Sequence, residues 1–350
     1  MNDDIRNLID KLDRDRTLTW MQYVRLIEGR SDEAAALLRK KADAARRQVY
    51  GSQVYIRGLI EISNICKNDC LYCGIRRGNA ACARYRLSKE EILSACEEGY
   101  ALGFRTFVLQ GGEDGYFTDD VLCDIVGAIR RNHPDCAITL SLGERSRESY
   151  AHLREAGADR YLLRHETANP VHYAKLHPKE MSFENRMRCL SDLKELGYQT
   201  GCGFMVGSPY QTAQDLADDL KFIEEFKPQM VGIGPFIPHA ATVFAKESAG
   251  SVDLTCYLLS IIRLMHPTVL LPATTALGTL DPDGREKGIL SGANVVMPNL
   301  SPASVRKKYE LYNNKLSDGD ESAQCVQSLK ARMAAIGYEV VTDRGDYKNA

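Results

Sequence analysis

From about residue 54 onward, short apolar or β-branched runs alternate with longer amphipathic segments, and this alternation constrains the fold more than any other feature. The strands are predicted at 56–63, 106–110, 137–141, 160–164, 199–205, 230–234, 269–272 and 294–297. The helices between them include 89–102, 118–131, 148–156, 183–196 and 212–225. Eight strands with seven intervening helical segments predict an α/β fold, a complete (β/α)8 TIM-type barrel. An open parallel sheet is the alternative, but the repeat continues to an eighth unit at roughly regular spacing.

Segments without this alternation flank the barrel. The first fifty residues read as helices, with Ile5, Leu8, Ile9 and Leu12 on one face. Thr19 and Ser31 are predicted to cap the next two helices. We therefore divide the chain into an N-terminal helical extension at 1–50, a barrel at 51–300 and a C-terminal cap segment at 301–350.

Three cysteines follow the first predicted strand in a CxxxCxxC arrangement: Cys66, Cys70 and Cys73. Three thiolates on one loop can hold three irons of a [4Fe-4S] cluster, which leaves the fourth iron open to another ligand. A zinc site or buried free thiols are the alternatives. Structural zinc, however, needs a fourth ligand at a comparable distance and usually a paired CxxC. The spacing therefore favours a cluster with one open iron.

The overall charge is close to neutral, with 45 basic and 47 acidic residues. This balance does not indicate a nucleic acid or an anionic membrane surface as partner, and it favours small-molecule chemistry. The sequence has no signal-peptide pattern at its start and no apolar run long enough to span a bilayer. The eight cysteines outside the loop are scattered without close pairs. We expect a cytoplasmic protein with reduced thiols.

Polar side chains cluster at the predicted carboxyl ends of the strands, where a barrel places its active site. Alternation along the fourth strand puts Arg164 and Glu166 on one face. They either form a buried ion pair or bind the carboxylate and ammonium of an amino-acid moiety, with Arg186 as a second cation. His239 either lines the site or lies in solvent.

Hydroxyl-bearing residues at later strand ends extend this predicted site. Thr274 and Thr275 offer two hydroxyls at the barrel rim, suited to an anion or a carboxylate. Tyr309 and Tyr312 are predicted to lie one helical turn apart on the C-terminal cap, where both rings can close the barrel mouth.

The cysteine loop resembles that of the radical S-adenosylmethionine (SAM) enzymes, in which Tyr72 corresponds to the residue along the SAM adenine. The glycine turn after Gln110 and the glycine-rich segment 201–209 are similar to SAM-binding segments of that superfamily. More specific motifs are RYLLRHETANP, SFENR, MVGIGPFIPH, PATTALGT, GANVVMPN and KKYELYNNK. Together they resemble the HydE family, radical SAM maturases of FeFe-hydrogenase in the biotin synthase-like branch.

The resemblance implies roles for individual residues. Cys66, Cys70 and Cys73 would hold the [4Fe-4S] cluster. SAM would be approached by Tyr72, Gln110, Thr139, Glu166 and Arg186. The deeper substrate cavity would be lined by Arg164, Thr274, Thr275, Met297, Tyr309 and Tyr312.

The resemblance also implies an activity. HydE enzymes cleave SAM reductively to a 5′-deoxyadenosyl radical and act on a cysteine-containing iron carbonyl cyanide precursor during assembly of the dithiolate-bridged diiron subcluster. The implied partners are this small-molecule precursor, other hydrogenase maturases and an electron donor. Some family members carry three C-terminal cysteines for an auxiliary cluster. Here only Cys325 remains, with Ser317 and Ser328 near the other positions, so we expect no second cluster.

Three other functions are compatible with the motifs. Methylornithine synthase, which rearranges lysine, shares the fold and the SAM site. Biotin synthase needs a second cluster inside the barrel, for which the predicted strands offer few cysteines. A noncatalytic iron-sulfur carrier or scaffold is the third alternative, and a test of SAM cleavage separates it from the enzymes.

Overall fold

The computed structural model describes residues 3–317, 319 and 322–348. Its helices are α1 Asp3–Asp15, α2 Trp20–Glu28, α3 Asp32–Tyr50, α4 Lys89–Ala101, α5 Asp119–Asn132, α6 Arg147–Glu155, α7 Pro170–Leu176, α8 Phe183–Glu195, α9 Ala213–Phe226, α10 Val252–Met265, α11 Thr275–Leu280, α12 Gly284–Leu290, α13 Ala303–Arg306 and α14 Val326–Ala335. Its strands are β1 Gln53–Ile56, β2 Gly58–Ser63, β3 Thr106–Gly111, β4 Ala137–Ser141, β5 Arg160–Leu162, β6 Gln199–Cys202, β7 Met205–Val206, β8 Met230–Val231, β9 Gly234–Pro235, β10 Val295–Val296 and β11 Glu339–Val341.

A ring of parallel strands forms the centre of the molecule. Six strands pair in the order β2-β3-β4-β5-β6-β8. Parallel bridges continue this order from Met230 to Leu270, from Pro272 to Val295, and from Asn299 back to Leu59 on β2. The bridges close the sheet on itself, so the predicted eight-stranded α/β barrel is confirmed.

The first three helices form because their apolar positions recur at helical spacing. Ile5, Leu8, Ile9 and Leu12 of α1 are all buried, as predicted. The Thr19 side chain caps α2 within a full capping box, and Ser31 caps α3. Helix α2 packs against α9, and α3 packs against α10. The domain boundaries at residues 50 and 300 stay a prediction, because the segments on both sides are packed against the barrel.

Several observed strands are shorter than predicted because the backbone leaves the extended conformation near the barrel mouth. The fourth strand ends at Leu162, and Glu166 has a φ of +67°. The fifth is interrupted at Gly203, where a Cβ atom would lie 2.0 Å from the Gly232 carbonyl oxygen. The sixth splits into β8 and β9, the seventh is reduced to bridges, and the eighth is the two residues of β10.

The C-terminal segment closes the opposite end of the barrel. β11 pairs with β1, and the chain then places Asp346 against Arg160, whose side chain is fully buried. Arg160 Nη2 donates to Asp346 Oδ1 at 2.7 Å and to the Arg344 carbonyl at 2.9 Å. Gln199 also donates to Asp346. The floor of the barrel is therefore polar and depends on the last described residues of the chain.

None of the helices in the described part of the chain combines the length and the apolar character needed to cross a bilayer.

Candidate active site

A cavity of about 360 Å³ opens at the carboxyl ends of the barrel strands. Its wall is built from strand ends, the cysteine loop and the C-terminal segment 309–315. The predicted site residues on this wall are Cys66, Cys70, Tyr72, Cys73, Gln110, Arg164, Glu166, Arg186, Thr274, Thr275, Met297, Tyr309 and Tyr312. Residues more than two hundred positions apart therefore meet in one chamber.

The three loop cysteines occupy one side of the cavity. The backbone N–H of Glu113 donates to Cys66 Sγ at 3.4 Å. Burial raises the pKa of the Cys73 thiol to about 12, and burial followed by the neighbouring Cys73 thiol raises the pKa of Cys70 well above its ordinary value. Among the described residues, no three His, Cys, Asp or Glu side chains converge on a single metal ion. Cysteines that each hold a different iron of one cluster need no such convergence.

Arg84 fastens the two ends of the cysteine loop. Its Nη1 donates to the carbonyls of Asn64 and Ile75 at 2.6 and 2.7 Å. Its Nη2 donates to the carbonyls of Arg76 and Asn79 at 2.6 and 3.2 Å. One guanidinium thus joins the residues before Cys66 to those after Cys73. The sequence analysis missed this role, because an arginine beyond the motif carries no local signal for it.

We expect Arg84→Lys to weaken the loop before any cluster binds. An ammonium lacks the planar fork that reaches four carbonyls, and hydrogen bonds from charged donors contribute about 1.5–3 kcal/mol each. Chemical denaturation of the apoprotein should show a loss of about 2 kcal/mol. Iron retained per chain after reconstitution should fall as well. Arg131→Lys, at an exposed position of α5, is the matched control. Normal iron retention together with unchanged stability would contradict this role of Arg84.

Arg164 and Glu166 lie together on the cavity wall, with Nη2 and Oε2 3.1 Å apart. The sequence predicted that alternation along one strand would place both side chains on one face. That explanation is wrong, because β5 ends at Leu162 and Glu166 adopts the left-handed conformation. Both the ion pair and the cavity position considered from the sequence are present. Within the described structure, Arg164 Nη2 and Glu166 Oε2 face each other as an ion pair without hydrogen-bond geometry, and Arg164 Nε is buried without a hydrogen-bond partner. Buried polar atoms of this kind need a partner, so the pair is available to a ligand.

Arg186 forms a second charged pair near the first. Its Nε donates to Glu144 Oε1 at 2.5 Å, and its Nη1 donates to the Arg164 carbonyl at 2.7 Å. The second bond ties α8 to the turn that carries Arg164 and Glu166. Arg186 therefore lines the cavity and also holds the neighbouring turn in place, while its role toward SAM stays a prediction.

His165 and Asp219 support that turn from behind the wall. The Gly203 N–H donates to His165 Nδ1, so the neutral ring carries its proton on Nε2, 3.1 Å from Asp219 Oδ1. The same oxygen accepts from the Ala168 N–H at 2.6 Å. Burial lowers the pKa of His165 to about 3, so the imidazole stays neutral. These bonds hold His165, directly before Glu166, and Ala168, two residues after it, and so support the left-handed conformation of Glu166.

A third charged pair on the opposite side was not predicted. Lys315 Nζ lies 2.8 Å from Glu61 Oε1, and Asn299 donates to Glu61 Oε2 at 3.0 Å. Glu61 is fully buried on β2, whereas Lys315 comes from the C-terminal segment. A glutamate within an apolar strand was the only sequence signal. Its partner is remote in the chain and could not be read from spacing.

Tyr309 and Tyr312 line the cavity, but the predicted cap helix is wrong at this point. Helix α13 ends at Arg306, and 307–315 runs as turns across the barrel. The Asn64 side chain donates to the Lys308 carbonyl, and the Gly74 N–H donates to the Leu311 carbonyl. Bonds to the cysteine loop thus hold this segment, which replaces helical hydrogen bonds with tertiary ones.

Thr139, Thr274 and His239 were also considered from the sequence, and only Thr274 lies on the cavity wall. Thr139 is buried on β4 one layer below the cavity wall, and Ser141 occupies the corresponding place on that wall. Thr274 lies on the wall, where its buried Oγ1 has no hydrogen-bond partner among the described residues. His239 is buried beside Gly74 rather than solvated, and its Nδ1 accepts from the Ala241 N–H.

Comparison with known proteins decides the family. A model of the radical SAM superfamily matches residues 60–223. The [FeFe] hydrogenase maturase subunit HydE of Thermotoga maritima is 46% identical over 344 residues, covering 98% of this chain and 97% of that protein. The chain belongs to the HydE family. The family resemblance inferred from the motifs is therefore confirmed.

More distant relatives share the architecture. A 3-methylornithine synthase of Methanosarcina acetivorans is 28% identical over 319 residues, covering 90% of this chain and 88% of that protein. The crystal structure of methylornithine synthase (PylB) superposes with a TM-score of 0.84 at 27% identity, covering 95% of this chain and 97% of that one. The barrel and its helical N-terminus are thus common to both families.

As a radical SAM enzyme of the HydE family, the chain uses a [4Fe-4S] cluster and SAM. The cavity suits both. Three thiols of raised pKa gain most from a cation that stabilises their thiolates, which iron supplies. The unpartnered polar atoms of Arg164 and Thr274, together with the Glu166 carboxylate, are donors and acceptors for the polar groups of a bound molecule.

Proposed function

We propose that this chain is the HydE-type maturase of an FeFe-hydrogenase and acts on a cysteine-containing iron carbonyl cyanide precursor of the diiron subcluster. The observation that carries the proposal is the 46% identity to a HydE maturase over nearly the whole of both chains. That match includes the C-terminal segment, which supplies Tyr309, Tyr312 and Lys315 to the cavity. Since all eleven cysteines are free, we also place the protein in the cytoplasm.

We assign the SAM site to the side of the cavity that carries the cysteine loop. When bound there, the cluster and SAM together supply a 5′-deoxyadenosyl radical. Tyr72 is held by its hydroxyl, 3.2 Å from His177 Nε2, and its ring packs edge-on to that imidazole. Glu166 and Gln110 also line the cavity with polar groups. Thr139 lies one layer below the cavity wall, so we assign its place beside SAM to Ser141.

We assign the substrate to the deeper part of the cavity. Leu59, Leu162, Pro272 and Met297 make its wall largely apolar, which suits carbonyl ligands that are poor hydrogen-bond partners. Arg164 and Thr274 offer unpartnered donors for a carboxylate or a cyanide nitrogen. The C-terminal segment covers this part and keeps bulk water from the reacting atoms.

A methylornithine synthase-like lysine rearrangement is the second candidate, because the PylB fold matches with a TM-score of 0.84. Lysine would also find charged groups in this cavity. The two candidates are separated by supplying each substrate in turn. Anaerobic enzyme with SAM and dithionite should consume the iron precursor and release 5′-deoxyadenosine. Rearrangement of lysine to methylornithine without turnover of the precursor would reject our proposal, and no SAM cleavage at all would indicate a noncatalytic carrier.

We expect Arg164 and Glu166 to affect different ligands. Arg164→Lys should lower precursor turnover about tenfold while SAM affinity changes little, because an ammonium cannot hold a carboxylate at two points. Glu166→Gln should weaken SAM binding about tenfold, equivalent to about 1.4 kcal/mol. The measurements are thermal midpoint, the SAM dissociation constant and precursor-dependent turnover. Matched losses in all three for both variants would show that the residues only pair with each other.

A further inference from the structure

Asp219, on the outer helix α9, holds the turn that carries Glu166. This turn, residues 164–169, follows β5 and leads into α7. Asp219 Oδ1 accepts from His165 Nε2 at 3.1 Å and from the Ala168 N–H at 2.6 Å. One carboxylate oxygen thus fixes a residue on each side of Glu166.

The His165 ring continues this link to the next strand of the barrel. The Gly203 N–H donates to His165 Nδ1 at 3.2 Å, and the Glu166 N–H donates to the Gly203 carbonyl at 3.0 Å. Gly203 belongs to the glycine-rich segment 201–209. One line of hydrogen bonds therefore runs from the outer helix through the imidazole and Gly203 to Glu166.

A second buried histidine ties the same turn to the same segment. His172 Nδ1 lies 3.1 Å from Thr167 Oγ1, and its Nε2 lies 3.0 Å from the Pro209 carbonyl oxygen. A carbonyl oxygen can only accept, so Nε2 carries the proton and Thr167 donates to Nδ1. The turn 164–169 and the segment 201–209 are therefore fastened together at two separate points.

The link between Asp219 and His165 is an expensive one to bury. Asp219 is fully buried, and its Oδ2 has no hydrogen-bond partner among the described residues. Burial raises the pKa of Asp219 well above its ordinary value. The Phe222 ring packs against the imidazole with the ring centroids 4.7 Å apart, so part of the surroundings is apolar. Apolar side chains in place of such a buried polar pair are often neutral or stabilising, so stability alone does not account for the pair.

Glu166 needs this support because of its backbone conformation. Its φ of +67° lies in the left-handed region, which costs free energy for a residue with a side chain. Strain of this kind persists only where the surrounding structure holds it, and it is concentrated at functional sites. Here the strained residue carries its carboxylate on the cavity wall, where Oε2 faces Arg164.

We propose that Asp219 is a positioning residue for SAM binding, which acts by holding Glu166 in the conformation that receives SAM. Asp219 itself does not line the cavity, and none of the sequence motifs gives it a role. The inference rests on the assignment of Glu166 to SAM under the proposed function. No bond forms or breaks at Asp219, so its whole effect is on geometry.

The test measures SAM affinity of the cluster-loaded protein by anaerobic calorimetry. Asp219→Leu removes the acceptor, Asp219→Asn keeps an oxygen in its place, and Ile223→Ala opens a cavity in the buried face of the same helix as a control. Each change is also combined with Glu166→Gln. His165→Leu cuts the same link at its other end, so the test does not depend on the folding of one variant. Hydrogen exchange of 164–169 in the apoprotein is a readout that needs neither cluster nor SAM.

We expect Asp219→Leu to weaken SAM affinity about fivefold and to speed hydrogen exchange in the turn 164–169. In the Glu166→Gln background the same change should have almost no further effect, because Asp219 acts only through that carboxylate. Asp219→Asn should stay within about twofold of the wild type. Ile223→Ala should lower the thermal midpoint and leave SAM affinity unchanged.

Three results would overturn the proposal: normal SAM affinity in Asp219→Leu and His165→Leu, an undiminished loss in the Glu166→Gln background, or an equal loss in Ile223→Ala. The first two show that Asp219 does not act on SAM through Glu166, and the third shows a general effect of destabilisation. Unchanged SAM affinity in Glu166→Gln alone would reject the assignment of Glu166 to SAM, and this inference with it. Failure of the inference by itself is recognised by a loss in Glu166→Gln without any loss in Asp219→Leu.

Discussion

Cys70→Ala is expected to abolish reductive SAM cleavage, with 5′-deoxyadenosine formation falling to background. With two of three thiolates left, the loop cannot hold a cubane whose fourth iron must remain open. The other two cysteines should behave alike, because all three line the same cavity wall. Anaerobic reconstitution followed by iron analysis and product chromatography measures the effect.

Cys82→Ala is the matched control for this prediction. Cys82 lies near the loop, where the Asn64 side chain approaches its sulfur at 3.5 Å, but it does not line the cavity. It should retain SAM cleavage and about four irons per chain, which also tests the expectation that Cys325 nucleates no second cluster. Unaltered 5′-deoxyadenosine production by Cys70→Ala would reject the assignment of the ligands.

Asp346→Ala is expected to cost about 2–3 kcal/mol of folding free energy. Arg160 is fully buried and would lose its carboxylate partner, and breaking a buried pair in this way typically costs about 3–5 kcal/mol. The expected cost lies below this range because the Asp346 side chain is 42% exposed, so that water partly replaces the lost carboxylate beside Arg160. Urea unfolding measures the difference, and Lys348→Ala in the same tail is the control.

The same pair predicts a pH dependence. Burial alone would raise the pKa of Asp346, but Arg344 and Arg160 together hold it well below the ordinary 3.8. A lowered carboxyl pKa stabilises the fold above the ordinary value and ceases to do so as pH falls through the lowered value. The stability gap between wild type and Asp346→Ala should therefore be constant above about pH 5 and should shrink below about pH 4. A gap that does not change with pH would mean that charge plays no part.

The sequence was informative where a pattern repeats or where chemistry requires a fixed spacing. Eight alternating units predicted the barrel, and the spacing of Cys66, Cys70 and Cys73 predicted a loop on its mouth. Most residues to which the family resemblance gives a role in the site lie on the wall of one cavity. The exception is Thr139, which is buried one layer below that wall on the same strand as Ser141.

Features fixed by contacts between remote segments could not be predicted. The interruption at Gly203 follows from the approach of Gly232, and the pairing of Lys315 with Glu61 joins residues at opposite ends of the chain. Tyr309 and Tyr312 carry helical spacing, yet tertiary hydrogen bonds to the cysteine loop override it. A local sequence pattern reflects only secondary-structure propensity. Tertiary hydrogen bonds to a remote segment override that propensity where they are more favourable.

The C-terminal residues finish both ends of the barrel, with 309–315 across the mouth and Arg344–Asp346 beneath the floor. In the order of synthesis both segments follow the barrel strands 58–296, the cysteine loop and Arg84. The wall of the chamber is therefore made before its lid and its floor.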